Sequence, residues 1–460
     1  MMLTMRNKLF AIFVGVVLCS TLSISCTEKE PMDEIGGEGV AVVTLLPMDG
    51  ISATKTEVVM AGQTISEPAY TPNQKRGYTF AGWCIDEEGT QLFDFESTPI
   101  NEDITLYASY SRDIILTDRG KVSRVTGATL SGEGLPNPNS THTRWNLGGT
   151  DLGIIWEMSN GEYGILFGDS YGSDFRPAGG GPGPASDWRS NVLAFSDNTD
   201  LENGLKFKSM LVSNGRPNRA APVIERENYY GFTYIPTAAI ELDGKQYMHY
   251  MYWEVGTTVR ADQNYSSIYC SEDYGQTWTS CRGKISFATD SYFAMVGYAK
   301  KPGDEYCYML GAQSGRGYRK STAKVARFKH DDILDKSKYE FWNGGKREWV
   351  KGKESQATTV LDGTVGELSV MYLEEFDRFL ALYFDSDRYA ICYRSAARMQ
   401  GPWSEERILC NGRDSRYAQL YGSYIHPLSA KKGSNKIYWT ISQWQPYNVF
   451  FMEADVKYAL

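Results

Sequence analysis

Along residues 115–460 the apolar positions come in short runs, among them "GIIWEM", "YGILFG", "NVLAFS", "KQYMHYMYW", "SSIYCS", "YCYMLGA", "LSVMYL", "RFLALYF", "KIYWTIS" and "VFFMEADV". Some alternate with period two and others are apolar throughout, the patterns of half-buried and fully buried strands. Glycine and polar turns separate them. Helical periodicity is confined to a short piece near "HDDILDKSKYEFW". A pair of sandwiches or a propeller accommodates so many short strands. One unit recurs loosely, at a spacing of about 65–70 residues: a buried strand, a second strand ending in aromatics, then a polar turn and Trp. That recurrence predicts an all-β chain with a five-bladed β-propeller over 115–460.

The clearest turn, "SEDYGQTW" (Ser271–Trp278), matches the Asp-box of sialidase-like propellers. There the aspartate bonds turn amides as Asx turns do. Asp273 is therefore expected to be structural. Upstream, residues 41–112 are strand-like. The run "GYTFAGW", followed by "FDF", "TPI" and "LYA", resembles the internalin-type B repeat (Listeria–Bacteroides repeat), a small β-grasp-like module. Its Tyr78 and Trp83 are read as core rather than as a sugar platform. The module carries its own core and no acid pair, so a chain starting near residue 112 is expected to fold alone and keep its full activity.

The N-terminus carries Arg6 and Lys8 before "LFAIFVGVVLCSTL", a basic region and an apolar stretch too short for a comfortable span. Residues 1–25 read as a signal peptide and 26–40 as a polar tether. Cys26 follows the apolar stretch as the acylated residue of a bacterial lipoprotein does, although Leu22 stands four residues before it rather than three. An acidic run after the cysteine resembles the tether of surface lipoproteins in Bacteroidota. The expected location is the outer membrane, lipid-anchored and surface-exposed; cleavage to a free periplasmic protein is the alternative. The formal charge of −9 over 460 residues gives no electrostatic footprint for nucleic acid. The four histidines and scattered cysteines lack zinc-site spacing, so no metal is assigned. Cys270 and Cys281 flank a predicted hairpin, as a disulfide or as two buried thiols.

The candidate chemistry sits in "GGTDLGIIWEMSNGEYGILFGDSYG" (Gly148–Gly172). Asn160-Gly161 supplies a hairpin turn, and a hairpin centred on Asn160 sets Asp151 directly opposite Asp169. Cross-strand Cβ atoms lie about 4.5–5.5 Å apart and like charges there repel. Repulsion and burial would raise one pKa, giving an acid and a base from two identical groups. Glycosidic hydrolysis needs such a pair; turn capping or a bond to Arg189 is the structural alternative. The start of the third strand shares that end of the blade and brings Trp188, Arg189 and Asn191 as candidate sugar contacts. Arg316, Glu367, Tyr421 and His426 are further substrate-binding candidates. His426 is also compatible with a structural channel cation such as calcium; no cofactor is otherwise expected.

Taken in order, "GGTDLG", "LFGDSYG", "WRSNVLA", "FTYIPTAAI", "GQTW", "GELSVMY", "GPWS" and "YGSYIHP" resemble the endo-D-arabinanase glycoside hydrolases, formerly a domain of unknown function. The resemblance spans about 115–460. It implies a five-bladed propeller cleaving internal α-D-arabinofuranosyl links of D-arabinan, with Asp151 and Asp169 as the acidic pair, and a monomer whose partner is a polysaccharide. A non-catalytic glycan-binding or adhesin-type surface propeller is the alternative.

Overall fold

The computed structural model describes residues 39–73, 75–176, 187–225, 232–254, 264–313 and 321–460. Residues 1–25, expected to be a signal peptide, and Cys26 and Arg316 lie outside the described residues. Among the described residues no helix is long and apolar enough to cross a membrane.

Among the described residues, five antiparallel sheets of at least four strands follow one another from residue 152 onward, beside a two-stranded ribbon of Val212–Ser213 and Arg216–Ala220. Blade I runs outward from the axis as Leu152–Glu157, Tyr163–Phe167, Val192–Ser196 and Ser209–Met210. Blade II begins with Phe232–Leu242, Lys245–Glu254 and Tyr265–Ser271, and blade III with Met295–Lys300, Tyr306–Ala312 and Ala323–Lys329. Blade IV is Leu368–Leu373, Arg378–Asp385, Ala390–Ala396 and Arg407–Asn411. Blade V takes Leu420–Ile425, Lys436–Gln443 and Asn448–Tyr458 from the C-terminus, and its outermost strand is Ile114–Arg124. Each innermost strand packs on that of the next blade, and blade V returns to blade I. This cyclic contact makes the chain a five-bladed β-propeller, the architecture its strand pattern predicts. Apolar side chains fill the spaces between neighbouring sheets, for example Leu380, Leu382, Ile437, Trp439 and Ile441 between blades IV and V.

The Asp-box turn has the structural role expected of it. Asp273 accepts from Thr277 N at 2.8 Å and Thr277 Oγ1 at 2.6 Å, while Trp278 meets Trp156 of blade I edge-on at 6.4 Å. The helical expectation near residue 330 is corrected: the segment forms two 3-10 turns, His330–Asp332 and Lys336–Lys338, the second capped by Asp335 accepting from Ser337 N. An Asx cap that tightens the backbone competes there with a full α-turn. Cys270 and Cys281 stand as thiols with Sγ atoms 3.1 Å apart.

The N-terminal sheet holds Val40–Leu46, Lys55–Met60, Tyr78–Cys84 and Ile104–Arg112, with the first and last of these parallel. Trp83 is buried in its core against Phe80 and Tyr70. The module is bolted to the ring by buried ions. Arg378 of blade IV is wholly buried and donates to Thr79 Oγ1, Ser111 Oγ, Arg112 O and Asp113 Oδ1, at 2.8 to 2.9 Å. Buried Glu67 receives both Arg347 and Arg398. The small domain is thus a packing partner of the ring. Arg378→Met is expected to cost about 3–5 kcal/mol, since Asp113 stays buried without its cation. Adding Asp113→Asn should recover part of that loss. Urea denaturation checks both, and a single-variant loss below about 1 kcal/mol would count against the bolt.

Candidate active site at the mouth of the ring

The blade I hairpin turns through Ser159-Asn160-Gly161. Gly161 N donates to Met158 O at 3.0 Å and Gly161 has φ +85°, a conformation that favours glycine. Close to the turn the register is the expected one, with Ile155 opposite Ile165. Toward the open end it slips. Leu152 pairs with Phe167 and Ile154 with Leu166, which leaves Gly153 as the extra residue of a β-bulge at φ +89°. Asp151 therefore faces Gly168, whose N–H donates to Asp151 O at 3.2 Å. The expected direct opposition of Asp151 and Asp169 is corrected by one residue. Blade V enforces the slip: Ser442 Oγ accepts from Leu152 N at 2.8 Å, and Thr440 Oγ1 donates to Gly153 O at 2.7 Å. A Cβ on Gly153 would sit 3.0 Å from Val449 Cγ1.

A one-residue slip turns the two carboxylates to different flanks of the hairpin. Asp151, buried, reaches toward blade V and accepts from Tyr421 Oη at 3.0 Å. Asp169, half-buried, reaches toward blade II and accepts from Thr233 Oγ1 at 2.6 Å. Their charges still meet on shared neighbours. Burial first, and then both aspartates, push the Tyr171 and Tyr447 hydroxyls above the usual phenol range. Gly168 leaves room for the Asp151 carboxylate because it has no side chain: a Cβ there would lie 2.3 Å from Asp151 Oδ1.

The remaining candidates divide. Tyr421 is in the site. Glu367 is buried one residue before the innermost strand of blade IV, at the same end of the ring as Asp151. Trp188 is half-buried beside Arg189. Arg189 is not a sugar contact: it is buried, and donates to Ala220 O at 3.0 Å and Asn146 O at 2.9 Å. Burial lowers its pKa to about 10. Its backbone pairs with Ser170, so it steadies the residue after Asp169. Asn191 is wholly buried, its Oδ1 taking Val223 N and Ile224 N, both at 2.9 Å. It too is a structural residue.

His426 ends the innermost strand of blade V, away from Tyr421, and is wholly buried with its ring 4.8 Å from Tyr163. Its Nδ1 accepts from Leu428 N at 3.1 Å. This walled position is closed to a sugar, and its Nε2 is buried with no hydrogen-bond partner. Asp385, Cys392 and Glu406 come within 4.8 Å of one another, but Asp385 already takes two backbone amides, and Arg388 and Tyr383 engage Glu406.

Sequence reasoning missed the turn Trp444–Tyr447, which joins the second and third strands of blade V at this same end. Thr150 N donates to Tyr447 O at 2.8 Å, so the turn is tied to the residue before Asp151. Tyr447 meets Tyr171 edge-on at 5.7 Å. The aromatic-rich "QWQPYN" between two strong strands was the available signal. At the opposite end of the axis, a cavity of about 670 Å³ is lined by Trp156, Glu241, Tyr298, Tyr372 and Lys431 among others; it lies away from the aspartates.

Residues 47–109 match the Listeria-Bacteroides repeat domain. Notoamide biosynthesis cluster protein J of Aspergillus sp. (strain MF297-2) is 28% identical over 316 residues, 65% of this chain and 81% of that protein. Its counterpart J' in Aspergillus versicolor is 26% identical over 314 residues, 65% of this chain and 82% of that protein. Among solved structures, a GH43_1 enzyme from Xanthomonas citri aligns with a TM-score of 0.40 at 12% identity, covering 69% of this chain and 89% of that one. The α-L-arabinofuranosidase of Podospora anserina aligns with a TM-score of 0.37 at 11% identity, covering 74% and 96%. Residues 136–453 match one family over more than half the chain, and the protein belongs to it: the domain of unknown function DUF4185.

Proposed function

We propose that the protein is a glycoside hydrolase of furanoside polysaccharide, endo-acting on α-D-arabinofuranosyl linkages of D-arabinan. The observation that carries this reading is the pair Asp151 and Asp169 at the mouth of the ring, each with one oxygen held by a neutral hydroxyl. Hydrolysis of a glycosidic bond asks for two carboxyl groups flanking it. One protonates the leaving oxygen while the other activates water or attacks the anomeric carbon. The motif order of the endo-D-arabinanases, quoted above, supports the choice of sugar. On this reading the enzyme is held at the outer membrane by lipid on Cys26.

Incubating the full chain with D-arabinan, L-arabinan and galactofuranan, and separating the products by chromatography, tests the proposal. Short oligosaccharides from D-arabinan are the expected result. Retention on a polysaccharide with no product release would make the protein a glycan-binding propeller instead.

A further inference from the structure

The loop that caps the site from blade V carries an exposed indole. Trp444 is 43% exposed, an unusual cost for so large an apolar surface in a water-facing position. It is nevertheless held in place. Its backbone N–H donates to Gln419 O at 2.9 Å, and its ring makes T-shaped contacts with Tyr421 at 6.1 Å and Tyr447 at 5.8 Å. Tyr421 in turn donates to Asp151, so an unbroken string of aromatic contacts runs from the exposed indole to a site carboxylate. The turn is also strained: Tyr447 adopts φ +45°, a left-handed conformation that bulky residues rarely take. Such strain is retained where the surroundings over-determine it, as they do at ligand clamps. Tyr447 is fixed by Thr150 and by its contacts with Tyr171 and Phe175.

We propose that Trp444 is a stacking platform for a sugar ring of the polysaccharide, one that lies beyond the cleaved linkage on the Asp151 side. An indole held in T-shaped contact with two tyrosines is pre-ordered, and its exposed part can stack on the apolar C–H surface of a sugar at little cost in side-chain ordering. A ring bound there makes the enzyme grip interior stretches of chain rather than ends. The inference rests on the hydrolase reading above and adds to it a subsite and a preference for longer substrate.

The test uses the full chain. Trp444→Ala should raise KM for D-arabinan about tenfold while kcat changes less than about threefold, and Trp444→Phe should restore most of the affinity. Ile408→Ala, an exposed apolar site on the outermost strand of blade IV, should change neither. In the Asp151→Asn background, affinity electrophoresis through D-arabinan should show retardation that Trp444→Ala abolishes. If wild type cleaves D-arabinan and Trp444→Ala keeps its KM, the platform is refuted while the hydrolase reading stands. A fall in kcat with KM unchanged would refute it as well, by making Trp444 a support for Asp151. If wild type neither binds nor cleaves any of the three polysaccharides, both readings fall together.

Discussion

Asp151→Asn and Asp169→Asn are each expected to lower turnover of D-arabinan by at least about 100-fold, with a thermal midpoint close to wild type. The size follows from what a positioned acid or base contributes, on the order of 100- to 10,000-fold. The unchanged stability follows from the geometry. Asparagine keeps the volume of aspartate and still offers an oxygen to Tyr421 or Thr233, so neither hydroxyl loses its acceptor. Gly168→Ala should lower turnover as well, from a different cause and with some loss of stability. The new methyl would arrive 2.3 Å from Asp151 Oδ1 and force that carboxylate aside. The backbone of Gly168 is not among the positive-φ positions, so alanine itself is tolerated there. Tyr421→Phe removes one hydrogen bond and should cost less than any of the three. Initial rates and calorimetric melting on the same preparations decide the matter. Asparagine variants that keep most of the rate but lose several degrees of stability would make the aspartates structural caps. Wild-type activity should follow a bell-shaped pH profile whose two limbs belong to the pair.

Acid lability is the second large effect, and it comes from two histidines that take no part in the site. His249 is wholly buried against Phe287, with Nδ1 3.0 Å from Tyr298 Oη, and His426 is wholly buried between Tyr163 and Phe451. Burial lowers both pKa values to about 3 from an ordinary value of 6.5. As pH falls below 6.5 the unfolded chain takes up a proton at each, while the folded chain does not until about pH 3. Stability is therefore fully present above pH 6.5 and is lost as pH falls through that window. The slope is about 1.4 kcal/mol per pH unit for each histidine. Between pH 6.5 and 4.5 the pair should cost about 5 kcal/mol, a large share of what holds an ordinary domain folded. His426→Gln removes one of the two titrations. Urea midpoints at pH 7, 5.5 and 4.5 should therefore fall less steeply for the variant. Identical slopes for the two proteins would sink the argument.

Which parts of this site were legible follows from how far each depends on distant chain. The strand runs, the Asn160-Gly161 turn and the Asp-box are local patterns, and each formed where its spacing placed it. The register between Asp151 and Asp169 was not local. Gly153 inside an apolar strand hinted at a bulge, but blade V fixes its position through Thr440 and Ser442, almost three hundred residues away. Arg189 and Asn191 were placed at the correct end of the blade. Their side chains are consumed by the carbonyls of Asn146, Ala220 and Tyr234 and by the amides of Val223 and Ile224, which no spacing rule reveals. His426 was legible in hindsight. The strand Leu420–Ile425 rises about 3.3 Å per residue, so its two ends cannot serve one mouth. Trp444 and Tyr447 reach Asp151 only because the ring closes.

That closure orders events in time. The strand Ile114–Arg124 is made well before its partner Asn448–Tyr458, and the two pair across roughly 340 residues of chain. Until that partner emerges, Ile114 and Leu116, both buried in the finished ring, stay on an open edge that any other strand can template. The nascent chain therefore holds a half-built circle while the intervening blades are made. Its passage to the native state waits for Asn448–Tyr458, and a chain truncated before that strand should be aggregation-prone.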